Sequence, residues 1–173
     1  IILCIGRVEA RKNLKLLFHG FAKTEPAIRA NAKIVVVGPL GWRGSQVIKY
    51  GMQLLGASNL EWVGKIDDYH LARLIKNASV LVHPSFDEGF GFPPLEAMVA
   101  GCPVIISDAP ALVEVAGNAA IVVGRNDTIA MKMALETLLM DEAVRSQLVE
   151  LGVKRSLNYT CLLYTSDAAD DTP

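Results

Sequence analysis

The stretch SVLVHPSFDEGFGFPPLEAMVAGCPVIIS, residues 79–107, decides the fold. SVLVHPS (79–85) and CPVIIS (102–107) read as strands, and LEAMVAG, closing on Gly101, reads as a helix between them. Pro93 and Pro94 stand where a helix's first turn tolerates missing N–H groups. Glu88 and Glu96 enclose two glycines, two prolines and two phenylalanines. Charged residues, glycines and prolines are ordinarily scattered by the needs of solvation and turns. Their concentration at the mouth of an apolar run marks a site.

The same alternation runs outward in both directions. IILCI (1–5), KIVVVG (33–38), LEWVG (60–64) and AAIVV (119–123) read as further strands. KIVVVG is apolar on both faces, as a strand covered by helices on both sides must be. Asn13 can cap a helix whose Leu14, Leu17, Phe18 and Phe21 fall at i, i+3, i+4 and i+7. A second helix runs through Val47, Ile48, Met52 and Leu55, and a third, capped by Asp67, lines up Leu71, Leu74, Ile75 and Ala78. The last helical stretch starts at Asp127 and runs to about Lys154. Strand–helix alternation of this kind predicts an α/β fold, a doubly wound, mainly parallel Rossmann-like sheet. Such sheets bind ligands at the carboxyl ends of their strands. Gly6-Arg7, Gly38-Pro39 and the glutamate cluster therefore converge on one rim.

At 173 residues, 51% of them hydrophobic, the chain suits one domain with a sizeable core. That domain is expected over residues 1–160, because CLLYTSDAADDTP (161–173) loses helical periodicity and reads as a disordered tail of doubtful origin. Residue 1 already lies inside a strand, so an amino-terminal portion is expected to precede it. A net charge of −1 leaves no global field to recruit nucleic acid or an anionic membrane. Cys4, Cys102 and Cys161 lie far apart and read as free thiols of a reducing, cytosolic compartment. No apolar run approaches the roughly 18 residues that span a bilayer.

The motifs narrow the chemistry. There is no GxGxxG after the first strand and no GxxxxGK[ST], which argues against a dinucleotide or a phosphate-loop site. No Asp-x-Asp occurs, and His19, His70 and His83 lack metal-ligand spacing, so no metal is expected. The rim suits a sugar-nucleotide diphosphate. Gly89 and Gly91 let backbone N–H groups approach an anion, and the helix starting near Phe92-Pro93 directs its positive end there. Arg7 and Lys12 can bring two fixed positive charges to the phosphates in place of a divalent cation. The Glu96 carboxylate can accept both hydrogens of a vicinal diol, as in a ribose, and Glu88 would face the sugar. His83, before Pro84, reads as a satisfied buried histidine with no partner visible in sequence.

Taken together, the residues resemble a known family. GFGFPPLEAM with Glu88 and Glu96 at E-x7-E spacing is similar to the motif of retaining glycosyltransferases with the GT-B fold, the class called glycosyl transferases group 1 or family 4. GRVEARKN (6–13) resembles that family's phosphate loop, VVVGP (35–39) its next strand-edge glycine, and VGKIDDYHLARLIKNA (63–78) the segment around its base pocket. GCPVIISDAPALVEVAGNAA (101–120) resembles the end of its donor half. The resemblance implies that Gly6, Arg7, Lys12 and Gly38 border the donor diphosphate and that Arg7 and Lys12 stabilise the departing nucleotide. It also implies that Glu88 contacts the transferred sugar, that backbone around Gly89, Phe90, Gly91 and Leu95 holds sugar and phosphate, and that Glu96 binds ribose. Val63 and Ile66 would line the base pocket.

On this resemblance the chain is the carboxy-terminal, donor-binding half of a metal-independent enzyme that uses a GDP- or UDP-sugar, with no other cofactor. An acceptor domain of the same chain would then be its missing partner, and any membrane association at the inner face would lie with that half. Two alternatives stay open at this point: a non-catalytic nucleotide-sugar-binding module, and another GT-B-like enzyme such as a phosphorylase or sugar-phosphate epimerase.

Overall fold

The computed structural model describes residues 1–159, so the expected tail at 161–173, with Cys161, lies outside the described residues. In chain order the elements are β1 (Ile2–Ile5), α1 (Leu14–Ala22), α2 (Pro26–Asn31), β2 (Ile34–Val37), α3 (Gly44–Leu55), β3 (Leu60–Gly64) and α4 (Asp68–Asn77). There follow β4 (Val80–His83), α5 (Phe92–Val99), β5 (Val104–Ser107), α6 (Pro110–Ala116), β6 (Ile121–Val123), α7 (Thr128–Met140) and α8 (Glu142–Ser156). The six strands form one sheet in the order β3-β2-β1-β4-β5-β6, and every pairing in it is parallel. The chain therefore starts in the middle, winds outward to β3, then crosses back to β4. Its reversal of direction falls between β1 and β4, where a doubly wound sheet opens a crevice for ligands.

The strand sequences sort themselves between two cores by alternation. Ile2 and Cys4 of β1, Ile34 and Val36 of β2, and Val80 and Val82 of β4 face one core with Leu17, Phe18 and Phe21 of α1 and Met131 and Leu135 of α7. Leu3, Val35, Val37, Leu81, Val104 and Ile106 face the other, against Ile75 of α4, Met98 of α5 and Leu112 of α6. Helix α8 serves both, with Val144 and Leu148 packed on the first core and Leu151 on the second. Cys4 and Cys102 are buried and free. Burial raises both thiols well above the ordinary range, Cys102 to about 12, so they behave as small apolar residues.

Two local expectations need correction. Asn13 does not cap α1: it sits in the left-handed region at φ 52°, and its side-chain amide instead donates to the Arg125 carbonyl at 2.8 Å. The long carboxy-terminal helix is two, because Asp141 leaves the helical region and accepts the Val144 N–H, capping α8 as α7 ends. Helices α2 and α6, of six and seven residues, are too short to show periodicity, although each opens on a proline. Asp67 does cap α4, accepting from His70 N–H at 2.9 Å, and Asp127 caps α7.

Candidate functional site at the carboxyl rim of the sheet

The first two loops of the rim meet backbone to backbone. Gly6 and Gly38 have φ of 129° and 138°, which L side chains rarely adopt. A Cβ on Gly38 would lie 2.1 Å from the Gly6 carbonyl oxygen, so Gly38 has a packing reason to be glycine. Past Gly6, a short turn at Ala10–Lys12 lifts Arg11 and Lys12 toward the loop that follows β4. The two loops are tied there: Phe86 N–H donates to the Arg11 carbonyl at 2.9 Å, and Arg11 Nη1 to the Asp87 carbonyl at 3.0 Å.

Glu88 is the hub of this junction. Its Oε1 accepts from Lys12 Nζ at 2.5 Å, Ser85 Oγ at 2.7 Å and His83 Nε2 at 2.9 Å, while Oε2 lies 3.5 Å from Arg11 Nη1. Burial on its own would push the carboxyl up, but the hydrogen bonds from His83, Lys12 and Ser85 outweigh it and hold the group well below the usual carboxylate range. His83, 2% exposed, is held below its ordinary value by burial first, with Lys12 and Arg11 acting in the same sense and Glu88 opposing them. Arg11 is pushed the other way, chiefly by its bond to Glu9.

The other expected residues fall around this hub. Arg7 is exposed, its stem lies over Gly41, and its guanidinium has no partner among the described residues. Gly91 has φ 92° and opens α5, and a Cβ there would meet Leu112 at 2.7 Å. Gly89 is exposed with nothing within 4 Å of a would-be Cβ, so packing does not require a glycine there. Because Pro93 and Pro94 lack N–H groups, the unpaired backbone donors at the start of α5 reduce to those of Gly91 and Phe92. Leu95 lies under the rim, fully buried, and as the fourth helical residue its N–H is the first that the helix pairs internally. Phe90 packs tilted against Phe92 and edge-to-face with Tyr159, with ring centroids 4.9 and 5.8 Å away. Glu96 is half-buried in α5. Val63 and Ile66, also half-buried, pack at the end of β3, where the Trp62 indole donates to the Gly38 carbonyl at 2.9 Å.

The structure thus brings Lys12 and Glu88 into contact and sets Arg7, Gly6 and Gly38 on the neighbouring loops. Arg11, Ser85 and His83 also belong to the site. Arg11 stands in the same basic turn as Lys12, but nothing in sequence says which of the two a distant carboxylate will meet. Among the described residues no group of three His, Cys, Asp or Glu side chains is placed to share a metal ion. An open cleft of about 750 Å³ lies nearer β6, between Phe86, Asp108, Arg125 and the start of α7. Its charged side chains are already engaged, Arg125 with Asp108 at 2.7 Å and Asp127 with the first N–H groups of α7.

A parallel sheet of this strand order, with cations and a carboxylate at the rim between β1 and β4, is a Rossmann-like domain with a charged ligand crevice. Residues 1–155 match the family of glycosyl transferases group 1, and the chain belongs to that family. It is 30% identical over 161 residues to the O-antigen chain mannosyltransferase B of Escherichia coli, covering 91% of this chain and 42% of that one. It is 29% identical over 136 residues to the O-antigen chain mannosyltransferase RfbU of Salmonella typhimurium, covering 79% and 37%. Its fold matches that of Anabaena Alr3699/HepE, solved in complex with UDP, with a TM-score of 0.82 at 16% identity, over 98% of this chain and 47% of that one. The chain spans less than half the length of each of these proteins.

Proposed function

We propose that this chain is the donor-binding half of a retaining glycosyltransferase, which moves a sugar from a nucleoside diphosphate to a hydroxyl acceptor without a metal ion. The observation that carries the reading is the junction of Lys12, Arg11 and Glu88 at the sheet's ligand-binding edge. A departing nucleoside diphosphate needs its developing charge neutralised, and Lys12 with the exposed Arg7 supplies two fixed positive charges beside the amino terminus of α5. Glu88, kept ionised, accepts hydrogen bonds from sugar hydroxyls. Glu96 takes the ribose diol, and the half-buried apolar surface at Val63 and Ile66 receives the base. The backbone N–H groups of Gly91 and Phe92 reach the phosphate.

A second, acceptor-binding domain completes the enzyme on this reading, which the share of the relatives' length that the chain spans supports. The mannosyltransferase names of the relatives favour a mannosyl donor with GDP as the carrier, and the UDP complex of the structural neighbour makes UDP its rival.

Titration calorimetry of the chain with GDP, UDP and ADP tests the donor site. One diphosphate is expected to bind, and binding is expected to weaken in Glu96→Ala. Undiminished affinity in that variant rejects the ribose role. The chain alone should transfer no sugar, because positioning both reactants supplies several kcal/mol of the barrier. Transfer by residues 1–160 above a Glu88→Ala control would overturn the half-enzyme reading. In the whole enzyme, activity should survive EDTA, and the product should keep the donor's anomeric configuration.

A further inference from the structure

His83 closes β4, is 2% exposed, and has no place in the donor contacts just proposed. Its Nε2 nevertheless reaches Oε1 of Glu88 at 2.9 Å, beside Ser85 Oγ on the same oxygen. An ionised carboxylate offers only lone pairs, so the proton in this contact belongs to Nε2. Burial disfavours the charged ring, and in a neutral ring the proton on Nε2 leaves none on Nδ1.

The partners of Glu88 differ in what a ligand does to them. Lys12 and Arg11 are cations on the first rim loop, with Glu9 behind Arg11, and a diphosphate competes for them. His83 and Ser85 are buried in β4 and the turn after it, and Ser85 is itself held by Ser107 Oγ on its carbonyl. A ligand at the rim meets the cations and leaves these two donors in place.

We propose that His83 is a positioning residue: as a neutral Nε2–H donor it fixes Oε1 of Glu88, together with Ser85, when Lys12 and Arg11 turn to a diphosphate. Oε2 is then left facing outward as the acceptor. The consequence for sugar transfer rests on the proposed function, whereas the hold of His83 on Glu88 does not.

Two measurements separate these. Nitrogen-15 spectra of the histidine-labelled chain should show His83 as the neutral Nε2–H tautomer at neutral pH, unchanged on adding inorganic pyrophosphate. A charged or Nδ1-protonated ring overturns the proposal, whatever the variants do. Carbon-13 titration of the Glu88 carboxyl should then give a midpoint that rises in His83→Leu, less so in Ser85→Ala, and returns most of the way in His83→Gln, whose amide can donate in place of Nε2–H. Identical Glu88 titration in all four proteins also overturns it. In the whole enzyme, His83→Leu should lower kcat by about tenfold, the worth of one charge-assisted hydrogen bond, and leave the donor KM nearly unchanged. A wild-type chain that holds Glu88 as described but binds no nucleoside diphosphate would defeat the functional reading alone.

Discussion

The Lys12 ammonium and the Glu88 carboxylate, 76 residues apart in sequence, lie 2.5 Å apart where the loops after β1 and β4 meet. The ion pair joins the two halves of the doubly wound sheet across its ligand crevice. Any phosphate that binds there competes with Glu88 for the cation.

Lys12 and Arg7 should therefore respond differently to removal. On the proposed reading Lys12→Ala deletes a phosphate contact, and it leaves a mostly buried carboxylate short of a partner, which should cost on the order of 1.5–3 kcal/mol in donor binding and also some stability. Arg7 is exposed and has no partner among the described residues, so Arg7→Ala should stay within about 0.5 kcal/mol of wild-type stability while turnover of the whole enzyme falls about tenfold. Urea unfolding beside steady-state kinetics checks both. Wild-type turnover in the two variants removes the phosphate site.

Glu88→Gln should act with opposite signs on binding and transfer. The amide keeps the shape of the carboxylate but gives up its charge, which releases Lys12 and Arg11 toward an anion. Affinity for the free nucleoside diphosphate is expected to hold or rise, and sugar transfer to drop by at least about tenfold. Calorimetry with the bare diphosphate reads the first and a product assay the second. Weaker diphosphate binding in this variant would show that Glu88 does not compete for the cations.

Gly38→Ala should destabilise the domain whatever its effect on ligands. The new methyl would sit 2.1 Å from the Gly6 carbonyl oxygen, at φ 138°. Neither backbone can move without breaking the bonds Gly6 N–H to Val37 and Gly38 N–H to Gly64. A loss of about 2 kcal/mol or more is expected by chemical denaturation. A variant as stable as wild type would mean that the two loops can separate, and glycine would then need a ligand to explain it.

Much of this was legible in the sequence because it is local. Buried strands such as Val35–Val36–Val37 and the helix stripe Leu14, Leu17, Phe18, Phe21 follow from periodicity, and the rim follows from strand order. Glu88 and Lys12 were both visible, but their contact was not, since a pair 76 residues apart depends on two loops closing over a crossover. His83 was hidden for a different reason. Its partner is five residues ahead, yet only the turn through Pro84 and Ser85 folds Glu88 back onto the end of β4. Asn13 misled because its cap-like position comes with a left-handed backbone, which turns its amide toward Arg125.

Acid should destabilise the domain over two pH ranges, and His83 sets the first. In the folded chain its pKa lies below the ordinary 6.5, so below that pH the unfolded state binds a proton that the folded state refuses. Unfolding is then favoured as pH falls, with a slope of up to about 1.4 kcal/mol per pH unit from this one group. Burial fixes the sign: it is the largest influence on His83, Lys12 and Arg11 act with it, and Glu88 opposes. Glu88, also held below its ordinary 4.5, adds the second range at lower pH in the same direction. Urea midpoints measured between about pH 7.5 and pH 5 should decline for wild type and stay flatter for His83→Gln, which has no proton to refuse. Parallel curves for the two proteins would place a protonated His83 in the folded state, where it would pair with Glu88 as a cation.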